Sequence, residues 1–173
     1  MSNTRPRGET FDQTDVDLLE YVENDFDVNL NVLSEELGLS KSAIHYRLEK
    51  LKDRGVIRGI TADLDPVPFG LDMVALTEVS VTHEQGYSED IGTELAAIDG
   101  IEQVYYTMGD VDFVTIVRVQ DREQMNEVID EIVGIEGVKE TSSRFVMDEI
   151  KSTPRVVSVM SEEMKRVVQD GDR

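Results

Sequence analysis

Leu30-Asn31-Val32-Leu33-Ser34-Glu35-Glu36-Leu37-Gly38-Leu39-Ser40-Lys41-Ser42-Ala43-Ile44-His45-Tyr46-Arg47-Leu48-Glu49-Lys50-Leu51-Lys52-Asp53-Arg54-Gly55 decides the fold of the first third of this chain. Its apolar residues recur at helical spacing twice, with a break between. Leu30, Leu33 and Leu37 line one side of a helix over about Asn31 to Leu37, and Ile44, Leu48 and Leu51 line one side of another over about Lys41 to Arg54. Gly38 suits the left-handed backbone that ends a helix, Leu39 plugs the corner, and Ser40 offers a hydroxyl to cap the next helix. Helix, short glycine-containing turn and helix make a helix-turn-helix.

Upstream, Asp12 caps a first helix, with Phe11 and Val16 placed as a hydrophobic staple. Val16, Leu19 and Val22 give its apolar face, supplemented by Leu18 and Tyr21, and Asn24-Asp25-Phe26-Asp27 breaks it. Downstream, Val56 to Leu64 reads as extended segments turning at Gly59, as a wing would. Asp65-Pro66-Val67-Pro68-Phe69-Gly70 reads as a linker, because two prolines oppose helix and strand pairing alike.

Beyond Leu71 the apolar period changes from 3.6 to 2. Met73, Ala75, Thr77, Val79 and Val81 alternate with Val74, Leu76, Glu78, Ser80 and Thr82, which predicts a strand. Ser88 is placed to cap a helix with Ile91, Leu95 and Ile98 inward, ended by Gly100. Strands follow at about Ile101–Thr107 and Phe113–Val119, then a helix opened by Asp121 with Met125, Val128, Ile129, Ile132 and Val133 inward, then a strand over about Val138–Ile150. Ile98-Asp99-Gly100-Ile101-Glu102 echoes Ile135-Glu136-Gly137-Val138-Lys139, each where a helix passes into a strand. The order βαββαβ with that internal echo predicts a ferredoxin-like sheet with both helices on one face. The other face then needs a cover, and a second copy of the chain provides one.

The expected organisation is α+β. It comprises a flexible tail over 1–10, a winged helix-turn-helix over 11–64, a linker over 65–71, a ferredoxin-like domain over 72–153, and an extension over 154–173 with a short helix from Ser161 to about Gln169.

Among 173 residues, 37 acidic against 17 basic side chains give a net charge of −20, which by itself argues against an anionic partner. The distribution reverses that reading. Lys41, Arg47, Lys50, Lys52, Arg54 and Arg58 face only Glu49 and Asp53 within 41–58, a local balance of +4. Phosphate binding depends on local potential. No apolar run approaches the ~18 residues that span a bilayer, and the start carries no export signal, so a cytoplasmic location is expected. With no cysteine and only His45 and His83, thiol chemistry and a Cys/His zinc site are excluded. No nucleophile–base arrangement, phosphate-cradling loop or metal cluster stands out, so neither an enzyme nor a cofactor is expected.

In a helix-turn-helix the second helix enters the major groove and its exposed N-terminal residues reach base edges. Ser40, Lys41, Ser42, His45 and Tyr46 occupy that position. Arg47, Lys50, Lys52 and Arg58 suit phosphates, which position without reading sequence. For Arg47 an ion pair with an acidic residue of the first helix is an equal alternative. In the second domain, Met108, Gly109, Asp110 and Asp112 lie in a loop where glycine permits close approach and carboxylates can receive an ammonium group; an ordinary hairpin turn is the competing reading. Thr141 and Ser143 share one strand face and could offer hydroxyls to the same small ligand, or simply reflect strand propensity.

Over about residues 11–152 this pattern resembles the Lrp/AsnC (feast/famine) family of prokaryotic transcription regulators. The resemblance is carried by Phe11-Asp12, Asp15, Leu18-Leu19, Leu33 to Leu37, Gly38-Leu39-Ser40, Ser42, Arg47-Leu48, Leu51, Gly55-Val56-Ile57, Gly59, Gly70, Gly109-Asp110-Val111-Asp112, and Val138 with Thr141 and Ser143. It implies sequence-specific binding of double-stranded DNA, control of amino-acid or nitrogen metabolism genes, and dimers that often assemble to octamers. It also implies a small effector, usually an amino acid, held near the Gly109-Asp110 loop between subunits. The acidic excess, with six lysines against eleven arginines, is similar to haloarchaeal versions. Two other readings use the same architecture: a DNA-binding protein without sequence preference, and an enzyme resembling siroheme decarboxylases.

Overall fold

The computed structural model describes residues 10–24, 29–82, 87–153 and 155–170, and the expected tail falls almost wholly outside them. The chain forms two compact units, one drawn from Met1–Asp63 and Ser152–Arg173, the other from Leu64–Lys151.

The first unit begins with α1 (Gln13–Asn24), α2 (Leu30–Glu36) and α3 (Lys41–Asp53). The caps follow local chemistry. Asp12 Oδ1 accepts from the Asp15 N–H at 2.8 Å, Asn29 caps α2, and Ser40 Oγ accepts from the Ala43 N–H at 3.2 Å. Gly38 and Gly55 take φ of 63° and 71° where α2 and α3 end, a region that glycine enters without a Cβ penalty. Leu18, Leu33, Ile44 and Leu51 form the buried centre, surrounded by Phe11, Leu19, Leu37, Leu39, Leu48, Val56 and Ile57. Leu18 is therefore central rather than supplementary. Leu30 and Tyr21, expected inward, are exposed, Leu30 being the first residue of α2. The wing expected over 56–64 has no strand ladder; past Ile57 it is irregular and exposed. Asp65–Gly70 is not purely extended either. Val67–Phe69 forms a 3-10 turn, since the fixed φ of Pro66 and Pro68 suits a helical start, and Asp65 Oδ1 accepts from the Val67 N–H.

The second unit contains β1 (Met73–Val81), α4 (Tyr87–Ala97), β2 (Ile101–Tyr106), β3 (Phe113–Val119), α5 (Arg122–Gly134) and β4 (Val138–Phe145). The sheet is antiparallel in the order β2-β3-β1-β4, as a split βαβ arrangement requires. Ala75, Val79 and Val81 of β1, with Phe113, Val117 and Val119 of β3, meet Ile91, Leu95, Ile98, Met125, Val128 and Ile132 from the helices in one core. The internal echo is physical. Gly100 and Gly137 both have positive φ, of 86° and 95°, and the N–H just after each bonds back to the carbonyl of Ile98 or Ile135. Space also demands glycine at the first: a Cβ at Gly100 would lie 3.1 Å from Val119 and 3.2 Å from Val128. Three boundaries differ from expectation. Ser88 is inside α4, whose preceding residues lie outside the described ones; Val133 is exposed; and β4 stops at Phe145, where its pairing with Ala75 ends.

After β4 the chain enters the first unit again. Val157 is buried there, and α6 (Glu162–Asp170) follows, its Met164 N–H bonded to Ser161 Oγ. Among the described residues, no helix is long and apolar enough to cross a membrane, and no three acidic or histidine side chains gather as a metal site.

Candidate nucleic-acid and effector sites

α3 is held against α1 by two guanidinium groups on its inner side. Arg47 Nη1 donates to Asp12 Oδ2 at 2.7 Å and to Asp15 Oδ1 at 2.6 Å, while Arg54 lies 5.0 Å from the centre of the Phe11 ring. Burial alone would raise the Asp12 carboxyl, but the Arg47 guanidinium and the Asp15 N–H hold it below the usual carboxylate range. Arg47 thus takes the ion-pair alternative, and its head group faces helix one.

Lys41, Ser42, His45 and Tyr46 instead lie exposed on one continuous face, Tyr46 being 69% accessible. Ser40 spends its oxygen as the helix cap. Glu49 sits on the same face, 2.8 Å from Lys52 and 3.9 Å from His45, so Lys52 has an intrahelical partner. Lys50 and Arg58 are exposed. The sequence could not tell which cations faced inward, because Arg47 and Lys50 differ by a single turn of the helix.

In the second unit, Met108, Gly109 and Asp110 stand exposed at the β2–β3 turn. Asp112 is half-buried with structural work to do: its Oδ2 accepts from the Val81 N–H at 2.9 Å and its own N–H donates to the Val79 carbonyl at 3.2 Å. Thr141 pairs with Val79 from the opposite side of β1, so Asp112 and Thr141 flank the same end of that strand. Ser143 Oγ lies 2.8 Å from the fully buried Thr77 hydroxyl. The structure therefore brings Asp112 and Thr141 to one sheet end, leaves Met108 and Asp110 projecting, and commits Ser143 to an internal hydrogen bond. A shallow cleft of about 440 Å³ lies elsewhere, between Glu94, Ala97 and Ile98 of the α4 end and Glu131, Gly134 and Ile135 of the α5 end.

The sequence profile of a winged helix-turn-helix DNA-binding domain matches residues 11–58, and that of the Lrp/AsnC ligand binding domain matches residues 74–156. The HTH-type transcriptional regulator FL11 of Pyrococcus horikoshii is 34% identical over 142 residues, covering 82% of this chain and 93% of its own. The proline dehydrogenase transcriptional activator of Rhizobium radiobacter is 31% identical, covering 88% of this chain and 99% of its own. Among solved structures, a transcriptional regulator of Neisseria meningitidis in complex with L-Met superposes with a TM-score of 0.79 at 27% identity, over 85% of this chain and 96% of that one. An extended helical DNA-binding unit joined to a ligand-binding sheet defines a transcription regulator with two working parts. The chain belongs to the Lrp/AsnC family of such regulators.

Proposed function

We propose that the outer face of α3 reads duplex DNA through Lys41, Ser42, His45 and Tyr46, with Lys50, Lys52 and Arg58 toward phosphates. Arg47 is left out of that set. The observation that carries the reading is the division of α3: Arg47 and Arg54 bind its inner side to α1, and the opposite side presents hydrogen-bonding side chains to solvent. Direct readout needs that arrangement.

The sheet unit takes a small effector, an amino acid, at the end of β1 near the Gly109-Asp110 loop, and so modulates DNA binding at amino-acid or nitrogen metabolism genes. The ligand-binding match, the L-Met held by the Neisseria relative and the named role of the Rhizobium relative support this. The sheet face away from α4 and α5 carries Leu76, Val114 and Ile116, none fully buried, which favours a dimer through that face and larger assemblies built from it.

Binding of a promoter fragment selected from genomic DNA, compared with bulk DNA by fluorescence anisotropy, tests the reading. Lys41→Ala and His45→Ala are expected to lower discrimination, each good base contact contributing about 1–3 kcal/mol. Arg58→Ala is expected to weaken both DNAs alike. Equal losses on both DNAs from all three variants would remove the base-reading role and leave a binder without sequence preference. Titration of the twenty amino acids by calorimetry tests the effector separately.

A further inference from the structure

α3 carries two carboxylates on the side turned away from the helical core, Glu49 and Asp53, and both are exposed. A carboxylate is out of place on a surface that meets a polyanion. It repels phosphates whatever the sequence, so it lowers affinity for every duplex unless it finds a donor. Along the helix, Glu49 stands about 10 Å from Ser42, within the roughly 12 Å width of the major groove, whereas Asp53 stands about 16 Å from Ser42. Of the two, Glu49 is the one placed to reach base edges.

Glu49 belongs to a row of side chains that the fold aims outward. Ser42, His45, Tyr46 and Glu49 follow one another at intervals of three, one and three, so they share one face over two turns of the helix. All four are exposed. Ile44, Leu48 and Leu51 lie on the opposite side with the core, as does Arg47, which is bonded to Asp12 and Asp15. The carboxylate is also held ready. Lys52 Nζ lies 2.8 Å from its Oε1, and His45 Nδ1 lies 3.9 Å from the same oxygen. The Lys52 ammonium holds the carboxyl below the usual carboxylate range, so the group is anionic at neutral pH. Among the described residues no hydrogen bond is made to Oε2, so one oxygen is steadied while the other can accept.

The donors available to such a group in the major groove are few. A carboxylate is an acceptor only. Guanine and thymine present acceptors at that edge, and adenine places its N6 amino group beside the N7 acceptor. Cytosine offers its N4 amino group with no acceptor of its own beside it. We propose that Glu49 is a further base-reading residue of α3, accepting from the N4 amino group of a cytosine and turning away guanine and thymine at that position. The inference rests on the reading of α3 as the DNA-facing helix and adds to it the identity of one base. In this arrangement Glu49 raises selectivity while lowering general affinity, the reverse of a phosphate contact.

Selection of bound duplexes from a randomised pool by the full chain, followed by sequencing, tests this. The wild-type chain is expected to enrich sites with cytosine at one position of the motif. Glu49→Ala is expected to lose about tenfold in preference for cytosine there, to keep the remaining positions, and to bind bulk DNA about twofold more tightly. Glu49→Gln is expected to exchange cytosine for adenine at that position, because a carboxamide pairs with adenine N6 and N7. A carboxylate that served only to stabilise the helix through Lys52 gives no such exchange. A wild-type motif that both variants reproduce overturns the inference and leaves base reading to Lys41, Ser42, His45 and Tyr46. Weakening at all positions together, with no exchange, overturns it as well, since Glu49 then acts only on the helix. A wild-type pool without any motif removes the reading of α3 itself, and this inference with it.

Discussion

Four side chains, Leu18, Leu33, Ile44 and Leu51, make the buried centre of the helical unit, whereas thirteen fill the core beneath the sheet. The difference shows in what else each unit uses. The sheet unit orients its helices by apolar contact and by glycine at two tight junctions. In the helical unit charged groups also fix helices, through Arg47 to Asp12 and Asp15, Arg54 over Phe11, Glu23 to the returning backbone and Lys165 to Glu20. The ion pairs of the sheet unit, Arg118 with Glu102 and Glu149 and Arg144 with Glu78, instead join strands and the segment after β4. A small domain buries a lower fraction of its surface, so a few well-placed polar contacts and a borrowed segment count for more there.

The comparison breaks most visibly in the sheet core. Phe113 is buried against Tyr106 and lies under Gly92, so Phe113→Ala is expected to cost about 3–5 kcal/mol in urea unfolding, with hydrogen exchange accelerating in β1 and β3 before α1 to α3. Arg47→Ala should cost less, about 1–2 kcal/mol, because the pair is partly exposed but leaves Asp15 half-buried without its cation. Its signature is local: exchange rises in α1 and α3 while the sheet is unaffected. An effect spread evenly over both units would erase the distinction.

Acid sharpens it further, with the smallest effect. Burial alone would raise Glu23, but the N–H groups of Val156, Val157 and Ser158 and the Ser158 hydroxyl lower it, and Asp12 is lowered likewise by Arg47 and the Asp15 N–H. Because both folded values lie below the ordinary 4.5 and 3.8, their stabilisation is complete above those values and is lost as the pH falls beneath them. Proton-detected exchange at pH 6 and pH 3 is expected to show α1 and α6 loosening together at the lower pH.

The sequence announces elements whose signal is local. Gly38 with Ser40, and Asp121 with Gln124, bring their own punctuation, and the alternation from Met73 to Val81 identifies both faces of β1. It is silent where position depends on a distant partner. The segment after Gly55 reads as extended from its own residues, but nothing local announces that Val56 and Ile57 pack against the helical core. The candidate site divides in the same way. That α3 would be polar outside was legible, whereas Arg47 and Arg54 being turned inward depended on residues more than thirty positions away. Asp112 was legible as a loop carboxylate but not as the acceptor for the end of β1, which lies thirty-one residues earlier. Gln13, Val16, Glu20 and Glu23, at spacings of three, four and three along α1, were the one available signal that a further segment packs there.

The return of the C-terminal segment to α1 has a bearing on biosynthesis. Glu23 leaves the ribosome 135 residues ahead of Ser158, a delay of about 7–27 s at ordinary elongation rates. During that interval the first three helices lack the partner for one of their surfaces, so the helical unit reaches its finished form only after the segment around Val157 has emerged.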